Sequence, residues 1–471
     1  MKNIIRSLYI IITTLSLVGC DNYVEIPTEG KLVPEETENF RYLLNNVYVL
    51  DRSYASVDLA SDDIVIRDDH ANYFDQYYGT SDYYRPYKQT YKWADSIQYT
   101  NEEDYSLNVM YTALYYANVV IDEVMDSKNG TEAEKLALKG EAQVHRAFIF
   151  LTMVNIFGKA YDSNTSANDP GIPMFTTPTV EEEITRATVQ EVYDQVISDL
   201  TEATQSGLNP INSGTDVVYP SEASAYALLS RAYLYMGKYQ EALDAAERTL
   251  AIQDGLLSLE DYTSVADYGF PRRDTDPEII LSKMSGTTYQ YSPTLLSLSD
   301  ELLNSFEASD LRYQLFTRPI SDVTWGSFTE GRAYCHETLT GEARNAGPTV
   351  PEVLLIKAEC LARTGDISGA MATINTLRQK RFTAEDFTAL TAENEEEALI
   401  KVLEERRREL MCRAGFRWFD LKRLNKDPRF AKTITHSWLE ETYTLEPGAD
   451  RYQFPFASIL FTYAPDLEQN P

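Results

Sequence analysis

Cysteine is scarce, with four in 471 residues, which excludes a disulfide-dense scaffold. Histidine is equally rare, and His70, His145, His336 and His436 lie too far apart in sequence to show any metal-ligand spacing. Basic charge is short: 42 lysines and arginines face 73 aspartates and glutamates, a formal net charge of −31. A surface that acidic repels phosphate backbones, so nucleic acid is excluded as the expected partner. There is no H-E-x-x-H, C-x-x-C, G-x-S-x-G or phosphate-cradling glycine loop. With so many acids, any chosen carboxylate pair is weak evidence for glycoside hydrolysis. No enzyme activity, cofactor or metal is therefore expected. Strand-like alternation is also sparse.

The first twenty residues read as an address. Lys2 and Arg6 precede an apolar stretch from Leu8 to Gly19. It is shorter than the roughly 20 residues a membrane-spanning helix needs, and it suits a secretory signal peptide, residues 1–19. Leu17-Val18-Gly19-Cys20 resembles a bacterial lipobox, which makes Cys20 the expected lipidation site. Acyl chains bind at about 0.8 kcal/mol per buried CH₂, so multiple acylation would hold the body stably on a membrane. Asp21, Asn22 and Glu25 resemble the acidic export tag of Bacteroidetes surface lipoproteins. Together these features predict an outer-membrane location facing the cell exterior. Cys335, Cys360 and Cys412 match no metal site and read as buried or incidental thiols.

Apolar spacing predicts helices at about 105–126, 133–157, 188–203, 221–236, 239–252, 351–364, 367–381 and 393–414. Thr188 and Glu191 form a capping box. Long loops are expected at about 55–100, 160–185, 253–300 and 315–350, carrying function or small local elements. Two segments read as one helix–turn–helix unit used twice, around Gly237 and Gly365. Each has an alanine five positions on, Ala242 and Ala370, that permits close helix approach. The spacing resembles tetratricopeptide pairs. The expected fold is mainly α, with these pairs and long irregular ligand-binding loops. Residues 20–220 and 221–471 are expected to form one compact body.

Tyrosine is abundant, at 33 residues, and it clusters. Nine of the 21 positions from Tyr73 to Trp93 are aromatic, among them Tyr77, Tyr78, Tyr83 and Tyr84, and acids including Asp62 and Asp68 lie just upstream. Rings with polar edges among carboxylates suit a sugar, whose C–H faces stack and whose hydroxyls need acceptors. They also suit a protein partner, or a loop packed on the body by its own rings. Calcium could use the same acids, but no recognised ligand spacing is present. A second candidate loop at 289–337 carries Trp325. The ligand-binding candidates are Tyr73, Tyr77, Tyr78, Tyr83, Tyr84, Trp325, Asp62 and Asp68. Near the C-terminus, Arg406 falls on an apolar stripe and needs a buried partner such as Glu359. Gly415 reads as the end of that helix. Glu404-Glu405-Arg406-Arg407-Arg408-Glu409 reads as a solvated face whose charges nearly cancel.

In this order the motifs resemble the SusD/RagB family of Bacteroidetes surface lipoproteins. The resemblance runs from Cys20 through Ala117-Asn118, Arg146-Ala147-Phe148, Asn155-Ile156-Phe157-Gly158, Asp199-Leu200 and Arg231-Ala232-Tyr233. It continues through Pro351 to Glu359 and Glu405-Arg406 to Gly415-Phe416-Arg417-Trp418-Phe419-Asp420-Leu421-Lys422-Arg423, closing on Asn470-Pro471. Leu107, Thr349 and Val350 depart from the family pattern. The resemblance implies a helical, non-catalytic protein that captures nutrient, usually glycan and sometimes peptide. It also implies a SusC-like, TonB-dependent outer-membrane transporter as partner. An oligosaccharide ligand is expected. Peptide capture, as in RagB-like proteins, and a repeat-based adaptor role are the alternatives.

Overall fold

The computed structural model describes residues 34–471 except 55, 79–84, 180–182, 286–295, 324–327 and 329. Cys20, Tyr83, Tyr84 and Trp325 lie outside the described residues.

Thr131 and Glu134 close a capping box and start the Glu132–Phe157 helix. From Gly140 to Phe157 every residue is buried, so this part of the helix is enclosed all round and forms the central strut. The helices Tyr105–Glu123 and Val189–Ala203 pack on either side of it. One side chain joins all three: Arg146 donates to both oxygens of Asp199 at 2.6 and 2.8 Å and to Asn118 Oδ1 at 3.0 Å. At the far end of the strut, Lys422 Nζ donates to the Asn155 and Gly158 carbonyls, each at 2.6 Å. A cation there suits the negative end of the helix dipole, although burial pulls the ammonium down to about 7. Asn470 Nδ2 donates to the Phe157 and Phe454 carbonyls, which accounts for the closing Asn470-Pro471.

The two helix pairs form as expected. Glu222–Met236 and Tyr239–Ile252 turn at Gly237, and Val350–Arg363 and Ile367–Arg378 turn near Gly365. Both glycines take positive φ, and Ala242 and Ala370 are fully buried at the crossings. The pairs pack against each other, and Arg231 donates to both oxygens of buried Glu352 at 2.6 and 2.7 Å. One hydrophobic core runs from Phe40 to Phe456 and draws on both halves of the chain.

The charged run departs from expectation. The helix is Glu395–Glu409, and of the run only Glu404 is exposed. Glu405 and Arg406 are wholly buried, and most of their partners lie on other elements. Glu405 is paired with Arg312 at 2.7 Å, Arg378 at 3.0 Å and Arg408 at 2.8 Å. Arg406 pairs with Asp420 at 2.8 Å rather than with Glu359. Arg423 and Arg363 hold Glu359 instead. The face is not solvated because the helices carrying Arg378 and Asp420 and the segment carrying Arg312 cover it and supply partners for its charges.

Gly415 likewise opens a new helix, Phe416–Leu424, in a left-handed conformation. Its N–H and that of Ala414 donate to Asp58 at 2.8 and 3.0 Å. A Cβ there would meet Val57 Cγ1 at 2.7 Å, so glycine is required on two counts. The long loops hold short elements. Helices Asp68–Tyr77 and Arg85–Tyr91 lie within 55–100, and among the described residues small two-stranded sheets tie segments such as Arg52–Ser53 and Met284–Ser285 together.

Acid should loosen this body in two stages. Lys283 Nζ lies 2.6 Å from His145 Nδ1, and burial with Lys283 and Arg41 holds that imidazole well below its ordinary value. Burial among Phe270, Phe316 and Tyr334, with Arg413 and Arg344 near, brings His336 down to about 4. The unfolded chain therefore takes up these protons first, and stability falls as pH drops from about 6.5 towards 4, by roughly 1.4 kcal/mol per pH unit for each imidazole. Burial opposes ionisation of Glu359, yet Arg423 and Arg363 hold it at about 2. Its contribution is present above about 4.5 and is lost below that. Lys422, held at about 7 by burial, already costs stability as pH falls from 8 towards 7; denaturant midpoints measured from pH 6.5 to 4 should then decline further, and a flat profile from 6.5 to 5 contradicts this.

Candidate functional site

The Asp68–Tyr77 helix opens with Asp68 and Asp69, which suit the positive end of its dipole. It buries His70, Ala71 and Phe74. His70, Tyr73 and Tyr77 are spaced i, i+3, i+7 and so share one stripe. Along that stripe burial gives way to exposure: His70 is 1% exposed and Tyr77 58%, with Tyr73 in between. The Tyr73 and Tyr77 ring centroids lie 4.5 Å apart at 41°, and Tyr78 meets Tyr73 edge-on at 6.0 Å.

Phe328, from the second aromatic segment, stands 5.3 Å from Tyr73, at right angles, and 4.1 Å from His70. The two stretches singled out separately in the sequence, 73–93 and 289–337, therefore meet in space. Two ladders bring this about. Ile64–Val65 pairs with Ser297–Leu298, and Thr317–Pro319 pairs with Arg332–Tyr334.

Other candidate rings serve packing. Phe74, Tyr87, Tyr91 and Trp93 are buried. Tyr91 and Trp93 stack on His436 at 4.0 and 4.3 Å, and the Tyr91 hydroxyl accepts from the Ile66 N–H. Phe74 packs edge-on against buried Trp438 at 5.4 Å. The Trp438 Nε1–H donates to Asp75 at 2.9 Å, and the other Asp75 oxygen pairs with Lys88 at 2.6 Å. Lys88 also lies 4.5 Å over the Trp438 ring. This braces the flank of the helix opposite Tyr73.

The two acids diverge. Asp68 is exposed at the start of the helix. Asp62 is half-buried with its carboxylate covered and engaged: Arg417 donates to it at 2.7 and 2.9 Å, Lys432 at 2.7 Å and Arg407 at 3.3 Å. Burial opposes its charge, but these cations hold it well below the carboxylate range. Asp62 therefore ties its loop to the C-terminal helices, and its place among the ligand candidates is corrected. Its acidic neighbours were visible in the sequence; three distant cations converging on it were not.

Sequence reasoning missed an apolar cavity of about 310 Å³ between the Tyr105–Glu123 helix and the segments around 173–184 and 460, lined in part by Tyr111, Tyr115, Phe175 and Leu460. Its wall is mainly apolar, and two of its polar side chains are engaged. Tyr111 donates to the Pro173 carbonyl, and Asn118 donates to the Phe175 carbonyl while accepting from Arg146. It offers little to hydroxyl groups, whereas the tyrosine stripe offers ring faces with free edges. Among the described residues, no three His, Cys, Asp or Glu side chains gather as metal ligands, and Cys335, Cys360 and Cys412 are buried. No described helix is long and apolar enough to cross a membrane.

A SusD-like family described as starch-binding and associating with the outer membrane matches residues 26–234. The SusD family matches residues 350–458. No curated protein matches the chain. Among solved structures, a SusD superfamily protein from Bacteroides thetaiotaomicron is 22% identical, covers 93% of this chain and 100% of its own, and superposes with a TM-score of 0.70. A SusD-like carbohydrate-binding protein from Bacteroides vulgatus is 18% identical over 92% of this chain and 97% of its own, with a TM-score of 0.66. A laminarin-binding SusD-like protein is 19% identical over 93% and 100%, with a TM-score of 0.68.

Proposed function

The chain belongs to the SusD family, and from that premise we propose that it is a cell-surface lipoprotein that captures an oligosaccharide without cleaving it. It is anchored through Cys20 to the outer membrane, facing outward, and passes its cargo to a SusC-like, TonB-dependent transporter. The observation that carries the binding reading is the Tyr73–Tyr77 stripe, which emerges from a buried aromatic base and meets Phe328. Partly exposed rings beside hydroxyl edges suit the faces of pyranose rings. The laminarin-binding and carbohydrate-binding relatives of the same fold support it, as does the chain's −31 charge, which disfavours polyanionic cargo.

Affinity chromatography on immobilised neutral glycans, laminarin and starch among them, tests the proposal, with chromatography of the eluted sugar to check its length. Retention of the protein with the sugar intact is expected. Shortened products would replace capture with hydrolysis. Absence of retention on every neutral glycan, with retention of peptides, would replace sugar by peptide as cargo.

A further inference from the structure

We propose that His70 is a proton-operated support for the tyrosine stripe: neutral, it seats Phe328 and Tyr73, and on protonation it unseats them, so that cargo is released in mild acid. This rests on the carbohydrate-binding reading of the same site and adds a regulatory step to it.

His70 is the buried end of the His70–Tyr73–Tyr77 stripe. Neither of its ring nitrogens has a hydrogen-bond partner among the described residues, and its ring lies 4.1 Å from that of Phe328 at 56°. Leaving a neutral imidazole unsatisfied is costly, and leaving an imidazolium so is far costlier. Among the described residues, the acid within ion-pair reach is Asp69 on the same helix, 3.8 Å from Nδ1 and 45% exposed. That same Asp69 oxygen already accepts from the His70 backbone N–H. Arg67 opposes protonation, and its guanidinium is held by Asp300 at 2.9 Å.

On the facing segment, Arg318 pairs with Asp267, and Arg332 lies over the Tyr313 ring and donates to Thr317. Asp322 and Glu330 are exposed, and neither ion-pairs with His70. Cys335 is a buried thiol whose burial pushes it up to about 11, so it stays neutral. On the neighbouring ladder, Glu301 is taken by Arg407 and Lys432.

Burial thus dominates and keeps His70 neutral at pH 7. Its charge change therefore falls below the ordinary value of 6.5. Once charged, the ring must find water or an acceptor, and Phe328 lies directly against it. Tyr73 touches both Phe328 and Tyr77, so one displacement reaches the exposed ring. A local charge event thereby biases a packed element between two arrangements.

A reporter free of any sugar tests this. An environment-sensitive thiol dye is attached to full-length Tyr77→Cys protein, in which Cys335, Cys360 and Cys412 are buried and unreactive. Dye emission from pH 8 to 5 should show a step below 6.5 while far-UV circular dichroism stays constant. The step should vanish when His70→Phe or, independently, His70→Gln is added. Retention on the neutral glycan bound at pH 7.5 should weaken about tenfold by pH 5.5 in the parent and less than about twofold in either His70 variant. A step that persists in both variants, no step in the parent, or a step that coincides with global unfolding overturns the proposal. A His70-dependent step in a protein that retains no sugar would overturn the binding reading and leave the switch standing.

Discussion

Replacing Glu405 with alanine should cost about 3–5 kcal/mol of folding stability, the loss expected when one partner of a buried ion network is removed. Glu405 is wholly buried and faces Arg312, Arg378 and Arg408. Burial works against its charge, but the three guanidiniums hold it far below the usual carboxylate range. After substitution, Arg312 keeps Asp310 and Glu409, and Arg378 keeps Glu307. Arg408 loses its only acidic partner among the described residues. One uncompensated charge therefore stays in a dry interior, and that accounts for most of the cost. The measurement is a denaturant midpoint at pH 7.5 with unchanged slope. Glu404→Ala, one residue away and exposed, should stay within about 0.5 kcal/mol of the parent. Equal midpoints for the two variants would show that the buried network carries no weight.

The second large effect concerns binding. A Tyr73→Ala/Tyr77→Ala variant should lose about 2–3 kcal/mol of glycan affinity, a 30- to 150-fold weakening, because two contacting rings act as one platform. Tyr48→Ala, which removes an 80% exposed tyrosine from a different helix, should bind as the parent does. Isothermal titration with the retained glycan separates these outcomes. If the double variant binds within twofold of the parent, the stripe is not the platform. A parent dissociation constant near 0.1–1 mM, about 4–5.5 kcal/mol, would still suffice where a membrane assembly presents many sites at once.

The helices of the body were legible because periodicity reports burial on one face. Thr188 with Glu191, Gly237, Ala242 and Ala370 all occupy the places their chemistry implies. The Asp68–Tyr77 helix was not legible. Its short run of Asp, His, Asn, Tyr and Gln has weak helix preference, and its apolar face is completed by Trp438, some 360 residues away. The aromatic cluster was visible as composition, but composition does not distinguish Tyr91, stacked beneath His436, from Tyr77, turned to solvent.

What the sequence determined by itself was the helical class, the paired hairpins, the acidic character and the region where rings gather, because each depends on residues close together in the chain. The tertiary structure alone decided which carboxylates are spent on distant arginines, as with Asp62, Glu405 and Asp420. It alone decided which rings face outward, and that Phe328 closes on His70 and Tyr73. Those outcomes depend on which segments become neighbours on folding, and pairing energies between residues hundreds of positions apart leave no local pattern.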